Sequence, residues 1–157
     1  MNGNNLQLIN DCKTELSNIK SYIVPNPLDS MVKYLVSYSV VKSCGTIEIV
    51  YKDIIYSHLI KNANNEAISY FYKNIKDSSS NPKTGKISSL LEQINPSWKT
   101  VFENQIKDTP DKGLLNSLVD LRNQIAHGNS ITSSIDDVIR YFNSGCNILL
   151  ILDTIVQ

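Results

Sequence analysis

The sequence predicts an all-α helical bundle, and three observations support this class. Apolar residues recur with helical spacing near the N-terminus and again over residues 114–128. Residues 31–62 contain no proline and only one glycine, Gly45, a stretch far longer than an ordinary strand. Prolines and polar turn residues separate the helical stretches. A chain of 157 residues without an internal repeat fits one domain, so we expect a single helical domain over residues 1–157.

Each predicted helix is bounded by residues that stop or cap helices. Pro25 and Pro27 end the first helix, and Asp29 or Ser30 can cap the second. The polar segment DSSSNPKTGK after the third helix reads as a loop with a mobile tip, and short helices then follow before residue 114. The predicted helices are residues 6–24, 31–62, 65–76, 87–94, 97–106 and 114–127, with a last helix that opens at Ser133 or Ser134.

Residues 114–128, LLNSLVDLRNQIAHG, contain the main functional candidates. Their apolar residues cover one broad arc of a helical wheel, as expected for a core helix. A polar ridge runs along the other side and ends at Asn123 and His127. Gly128 follows in the position of a left-handed C′ residue, which predicts that His127 stands at an open helix end. The arc is Leu114, Leu115, Leu118, Val119, Leu121, Ile125 and Ala126, and the ridge is Asn116, Asp120, Asn123 and His127.

Arg122 falls inside the apolar arc of this helix, where its charge needs a carboxylate, a phosphate or water. Glu48 falls on the apolar arc of the second helix in the same way. The two charges are therefore natural partners, and we expect them to form an ion pair. Lys52 lies four residues after Glu48, but Glu-Lys pairs at this spacing are ordinary surface features of helices.

Charge and cysteine content exclude several classes of protein. Lys plus Arg equals Asp plus Glu at 15 each, so no global field favours tight nonspecific nucleic-acid binding. Three cysteines without CxxC spacing indicate reduced intracellular thiols, not a disulfide framework or a zinc site. Neither a signal peptide nor an apolar run of spanning length is present. We therefore expect a cytoplasmic protein with no membrane association.

The motif residues carry a resemblance to a known family. Arg122 and His127 form an R-x4-H motif, and the longer run VDLRNQIAHG closes an amphipathic helix. This pattern resembles the HEPN superfamily, and especially its RiboL-PSP and MAE-type branch. The similarity extends to the long second helix with Cys44-Gly45 and Glu48, the proline-interrupted middle and a closing helix that starts with Asp-Asp-Val. The E-x3-K pattern of Glu48 and Lys52 also resembles one seen in some HEPN nucleases.

The resemblance implies metal-independent RNA cleavage in a cleft where two motif helices meet across a two-fold dimer. His127 can move protons close to neutral pH, and Arg122 supplies a forked cation for phosphoryl oxygens. Asn123 can bind the phosphate or orient the imidazole. Arg122 and His127 lie about 140° apart on an ideal wheel, which also favours a homodimer. We expect an RNA-cleaving toxin or antiviral-defence effector that leaves 2′,3′-cyclic phosphate and 5′-hydroxyl ends, with a cognate antitoxin or defence-system protein as a possible partner.

The alternative is a non-catalytic HEPN module that binds RNA, a nucleotide or a partner protein, with Arg122 and His127 as structural charges only. No cofactor or metal is predicted, because His58 has no metal-spaced companion and reads as a satisfied core histidine. Four lysines around the polar loop could contact a phosphate backbone, although a solvated charge run is commoner. Six tyrosines could stack bases, although we expect most in the core or at a dimer face. These residues are Lys73, Lys76, Lys83, Lys86, Tyr34, Tyr38, Tyr51, Tyr56, Tyr70 and Tyr72.

Overall fold

The computed structural model describes residues 1–156, and within this range the chain forms α-helices and no strands. The predicted all-α bundle with a long second helix and short helices before the motif helix is confirmed. The predicted third helix differs, since it ends at Phe71 and continues as a π-helical turn over Tyr72–Lys76. The α-helices are α1 Gly3–Ile23, α2 Val32–Leu59, α3 Asn65–Phe71, α4 Thr84–Ile94, α5 Pro96–Ile106, α6 Asp111–Ala126 and α7 Ile135–Ile155.

Side-chain caps explain where several of these helices begin. Asn2 and Asn64 cap α1 and α3 by accepting a hydrogen bond from a backbone N–H of the first turn. Asn95 caps α5 in the same way, and Pro96 occupies the first helical position, where its missing N–H is not needed. Ser134 opens α7 with a complete capping box. The predicted start of the last helix is therefore confirmed at the second of its two candidate positions.

The core lies where α7 packs against α1, α2, α5 and α6. Its largest fully buried side chains come from all these helices and include Leu16, Ile47, Phe102, Leu118 and Phe142. Gly145 of α7 faces Ile47 of α2 so closely that a Cβ at this glycine would overlap the Ile47 Cδ1 atom. The absence of a side chain at Gly145 therefore allows α2 and α7 to approach this closely.

Three of the seven residues in the predicted apolar arc of α6 are buried. Leu115, Leu118 and Val119 are fully enclosed, whereas Leu121 and Ile125 are partly exposed. The helix therefore uses one side of its arc for the core and leaves the other side at the surface.

No helix in the described part of the chain combines the length and the apolar character needed to cross a membrane.

Candidate functional site

The end of α6 presents His127 to solvent. His127 is the C-cap residue, and Gly128 follows with a φ of 77°, the left-handed conformation predicted for it. The Gly128 N–H donates to the Ile125 carbonyl at 3.0 Å, and the Asn129 N–H donates to the Gln124 carbonyl at 2.9 Å. These two bonds form a Schellman motif, which ends the helix in one defined geometry. The imidazole therefore stands exposed on a rigid helix end.

Arg122 lies five residues before His127 and is half-buried, on the face that also carries Leu118 and Val119. Its Nη1 donates to the Asn123 side-chain oxygen at 3.3 Å. Among residues 1–156, no carboxylate oxygen lies within ion-pair distance of the guanidinium. The structure thus places a half-buried cation beside an amide oxygen, with its charge not neutralised by an acidic residue of the described chain.

The predicted ion pair between Arg122 and Glu48 is wrong. The Glu48 carboxylate instead binds the Lys52 ammonium on its own helix, with Oε1 and Nζ 2.6 Å apart. The pair is not the ordinary surface feature that the i,i+4 spacing indicated, because only 7% of the Lys52 side chain and 24% of the Glu48 side chain are exposed. Lys52 lies on the same helix as Glu48, so this ion pair needs no contact with another helix.

The segment of residues 78–84 is attached to both α2 and α6, contrary to the predicted mobile tip. Lys52 donates to the Ser78 carbonyl, and the Tyr51 hydroxyl donates to the Ser80 carbonyl at 3.1 Å. On the other side, the Thr84 N–H donates to the Asn116 side-chain oxygen at 3.0 Å. Residues 78–84 therefore lie beside the motif helix, held by buried Tyr51 and Lys52 of α2 and by Asn116 of α6.

The polar ridge of α6 contacts the preceding loop at its N-terminal part and contributes the motif residues at its C-terminal end. Asn116 holds Thr84, and Asp120 pairs with Lys83 at 2.7 Å. Asn123 and His127 remain at the C-terminal end of the ridge, where His127 makes no ion pair within the described residues. The contact that ties the loop to Asn116 was not anticipated from the sequence, because an asparagine on a ridge carries no signal for a partner 32 residues away.

Cys44 of α2 is a buried thiol that both Arg122 and Glu48 influence. Burial raises the pKa of its thiol to about 12, while Arg122 lowers and Glu48 raises that pKa through charge interactions. Both charged side chains therefore lie close enough to the sulfur to act on it. A thiol with this pKa is not a nucleophile at neutral pH.

His58 differs from the satisfied core histidine that we predicted. It is half-buried and packs edge to face on Trp98, with ring centres 5.2 Å apart, but its buried Nδ1 has no hydrogen-bond partner among residues 1–156. Burial, with a smaller effect of Lys61, lowers its pKa. Within the same residues, no group of three or more His, Cys, Asp or Glu could hold a metal ion.

The tyrosines that could stack bases differ in their exposure to solvent. Tyr51 is buried in the core, whereas Tyr34, Tyr38, Tyr70 and Tyr72 are exposed. Two of the four lysines around the loop are paired with acidic residues, Lys76 with Asp53 and Lys83 with Asp120.

Among the comparisons with known proteins, one gives a match. A search of curated proteins and a search of solved structures each give no match. The family model described as RiboL-PSP-HEPN matches residues 6–157, which include the whole of the motif helix and all the helices that surround it. The chain therefore belongs to the RiboL-PSP branch of the HEPN family, as its VDLRNQIAHG run indicated.

Proposed function

We propose that this chain is a metal-independent endoribonuclease of the HEPN type. The observation that carries the proposal is the arrangement at the end of α6. An exposed His127 lies five residues after Arg122, whose charge no carboxylate of the described chain neutralises. A half-buried guanidinium without an acidic partner favours an external anion, and the forked donors of arginine match a phosphate. With Glu48 engaged by Lys52, the purely structural role for Arg122 loses its predicted partner.

The proposed reaction is attack of a ribose 2′-oxygen on the adjacent phosphorus. A histidine removes the 2′-hydroxyl proton, the O2′–P bond forms, the P–O5′ bond breaks and the 5′-oxygen receives a proton. The products are a 2′,3′-cyclic phosphate and a 5′-hydroxyl. Arg122 stabilises the charge that builds on the phosphoryl oxygens. Asn123, whose side-chain oxygen already accepts from Arg122, holds the guanidinium in place and offers its own N–H groups to the phosphate.

A two-fold homodimer would supply the second proton-transfer group. Each chain contributes one motif histidine, and the reaction needs both a base and an acid. Arg122 and His127 point about 140° apart on an ideal helix, so one helix does not direct both at a single phosphate. The partly exposed Leu121 and Ile125 and the exposed Ala126 offer an apolar surface on α6 for a second motif helix.

The proposed cellular role is that of a toxin or antiviral-defence effector in the cytoplasm. A ribonuclease that needs no cofactor is active as soon as it folds, so its host requires a means of restraint. A cognate antitoxin or another defence-system protein would provide it. Host growth arrest on expression, relieved by His127→Ala, supports this role, and normal growth with active, folded protein contradicts it.

The test of the activity is cleavage of mixed single-stranded RNA by purified protein in EDTA. We expect His127→Ala and Arg122→Ala each to reduce cleavage by about 10²–10⁴-fold while the protein stays folded. The chain provides matched controls in its other histidine and its other arginine, so His58→Asn and Arg140→Ala should retain activity. Intact RNA with every preparation of folded wild-type protein would contradict the proposal and favour a non-catalytic RNA-, nucleotide- or protein-binding module.

Sharing of the site between chains has a separate test. Mixtures of Arg122→Ala and His127→Ala proteins form heterodimers in which one cleft regains both groups if these act from different chains. We expect partial recovery in such mixtures, with cleavage above that of either variant alone and below that of the wild type, because the heterodimer keeps only one of the two motif histidines. Confirmed heterodimers without any recovered activity would exclude the shared site.

A further inference from the structure

A cavity of about 350 Å³ is lined by residues from the start of α2 and from the segment that follows His127. Val32 and Val36 contribute apolar surface from α2, and Ile131 contributes it from the segment after the motif. The volume falls within the range of about 300–1,000 Å³ that is usual for small-molecule sites. The proposed reaction assigns no role to this space, which we call the α2 cavity.

The α2 cavity lies close to the motif because only a short piece of chain separates them. Ile131 follows His127 by four positions, so their Cα atoms are at most about 14 Å apart. Both ends of the connecting segment are fixed. The Asn129 N–H donates to the Gln124 carbonyl at 2.9 Å, and Ser134 opens α7 with its capping box. A strand with one phosphate at His127 therefore has a neighbouring nucleotide within reach of the cavity.

Two opposite charges line the α2 cavity without pairing with each other. Asp29 and Lys33 are four positions apart, a spacing at which charged residues of a helix commonly pair, yet within residues 1–156 no ion pair joins them. The Asp29 carboxylate instead accepts from the Met31 N–H at 2.8 Å and from the Tyr22 hydroxyl at 2.5 Å. Each of its oxygens accepts one of these bonds and keeps a lone pair. The cavity thus offers both a hydrogen-bond acceptor and a cation to a ligand.

These two groups match a nucleotide whose base carries an amino group. An ammonium attracts a phosphate, and a carboxylate accepts a hydrogen bond from the amino group of cytosine. The apolar side chains of Val32 and Ile131 can contact the face of a base. Uracil has a carbonyl oxygen where cytosine has the amino group, and a carboxylate repels that oxygen. The lining therefore favours cytosine over uracil.

We propose that the α2 cavity binds a nucleotide next to the phosphate that is cleaved, and that it selects a base with an amino group over uracil. Asp29 accepts a hydrogen bond from the amino group, and Lys33 contacts the phosphate of the same nucleotide. This inference rests on the proposed function for the identity of the ligand as RNA. It makes Asp29 a specificity-determining residue that lies apart from the reacting atoms.

The test compares binding of labelled oligocytidine and oligouridine of about ten nucleotides by fluorescence anisotropy. All proteins carry His127→Ala, so that the RNA stays intact. We expect this parent protein to prefer oligocytidine about tenfold, since a hydrogen bond to a charged group is a strong one. Asp29→Asn should reduce the preference to within about twofold, because an amide can donate to uracil as well as accept from cytosine. Lys33→Ala should weaken binding of both RNAs about fivefold and leave the preference unchanged.

The chain provides a matched control for each substitution. Asp108→Asn also removes one carboxylate charge, but Asp108 is an exposed residue that precedes α6, at the opposite end from His127. Lys61→Ala also removes one exposed ammonium, but Lys61 lies just past the other end of α2, about 40 Å from Lys33 along the helix axis. Neither residue lines the α2 cavity. Both controls should keep the affinities and the preference of the parent protein.

Each outcome decides the inference separately from the activity. Equal affinity of the parent protein for both RNAs, or an unchanged preference in folded Asp29→Asn, overturns the inference even when the wild-type protein cuts RNA. A loss in Lys33→Ala no larger than that in Lys61→Ala overturns it as well. A preference that depends on Asp29, in a protein that never cuts, supports the inference and overturns the proposed reaction. RNA that binds none of the folded proteins overturns the inference, and cleavage by the wild-type protein then decides the reaction on its own.

Discussion

Removal of the Glu48 carboxylate tests which cation this residue serves. In the structure Glu48 pairs with Lys52 at 2.6 Å and not with Arg122, so Glu48→Ala leaves a lysine ammonium with 7% side-chain exposure without its carboxylate. The Ser78 carbonyl is then the remaining acceptor for the Lys52 ammonium. Lys52→Ala instead leaves the Glu48 carboxylate without its cation. Water can reach this carboxylate more easily, because 24% of the Glu48 side chain is exposed.

The burial of the two groups sets the expected magnitudes. Loss of one partner from a buried ion pair reduces the free energy of unfolding by about 3–5 kcal/mol. We expect Glu48→Ala to lie in this range and Lys52→Ala to lie below it, at about 2 kcal/mol, because Glu48 is rehydrated in part. Replacement of both groups by methionine should be close to neutral, since it removes both desolvation penalties.

Urea denaturation of a double-mutant cycle measures the coupling directly. We expect a coupling free energy of about 2 kcal/mol between Glu48 and Lys52 and less than about 0.5 kcal/mol between Glu48 and Arg122. A larger coupling of Glu48 with Arg122 than with Lys52 would refute the assignment. It would also restore the structural role of Arg122 and weaken the case for a phosphate at that position.

Three further predictions concern single positions. Gly128→Ala should reduce the free energy of unfolding by about 1 kcal/mol in urea melts, because φ is 77° and a Cβ there meets nothing within 4 Å, so the loss comes from the backbone alone. It should also reduce cleavage, since His127 directly precedes the altered turn, and an unchanged melt would contradict the left-handed C′ position. Gly145→Ala should cost about 1–3 kcal/mol through overlap with Ile47, and Ile47→Val in the same protein should recover part of that loss, because it removes the overlapping Cδ1 atom. Cys44 should resist alkylation at pH 8 in the folded protein and react only in urea, because its pKa of about 12 keeps the thiol protonated; rapid labelling of the folded chain would contradict this.

Local patterns predicted most of the fold. The spacing of apolar residues and the positions of prolines located the helices to within a few residues, because both act within one or two turns of chain. The Ser134 capping box and the left-handed Gly128 were predictable for the same reason. The π-helical turn was not, since a shift from α- to π-type hydrogen bonding leaves no composition signal in Tyr72–Lys76.

Contacts between distant segments limited the prediction of the site. The sequence predicts that Arg122, Asn123 and His127 lie near one another, because they fall within six positions at the end of one helix. The sequence did not predict the partner of Glu48. A helical wheel places charged residues on one arc of a helix, but it does not show whether Arg122 or Lys52 lies within reach of the carboxylate. The sequence also did not show that residues 78–84 are held in place, since the hydrogen bonds that hold them come from side chains of α2 and α6 that lie beside the loop only in the folded chain.

The chemical nature of the RNA ends tests the central claim most directly. Wild-type protein is incubated with a defined single-stranded RNA in EDTA, and the products are identified by mass spectrometry beside those of His127→Ala and Arg140→Ala. We predict 2′,3′-cyclic phosphate and 5′-hydroxyl ends from the wild-type and Arg140→Ala proteins, and none from His127→Ala. Ends bearing a 5′-phosphate, or equal cleavage by the His127→Ala protein, would contradict the account.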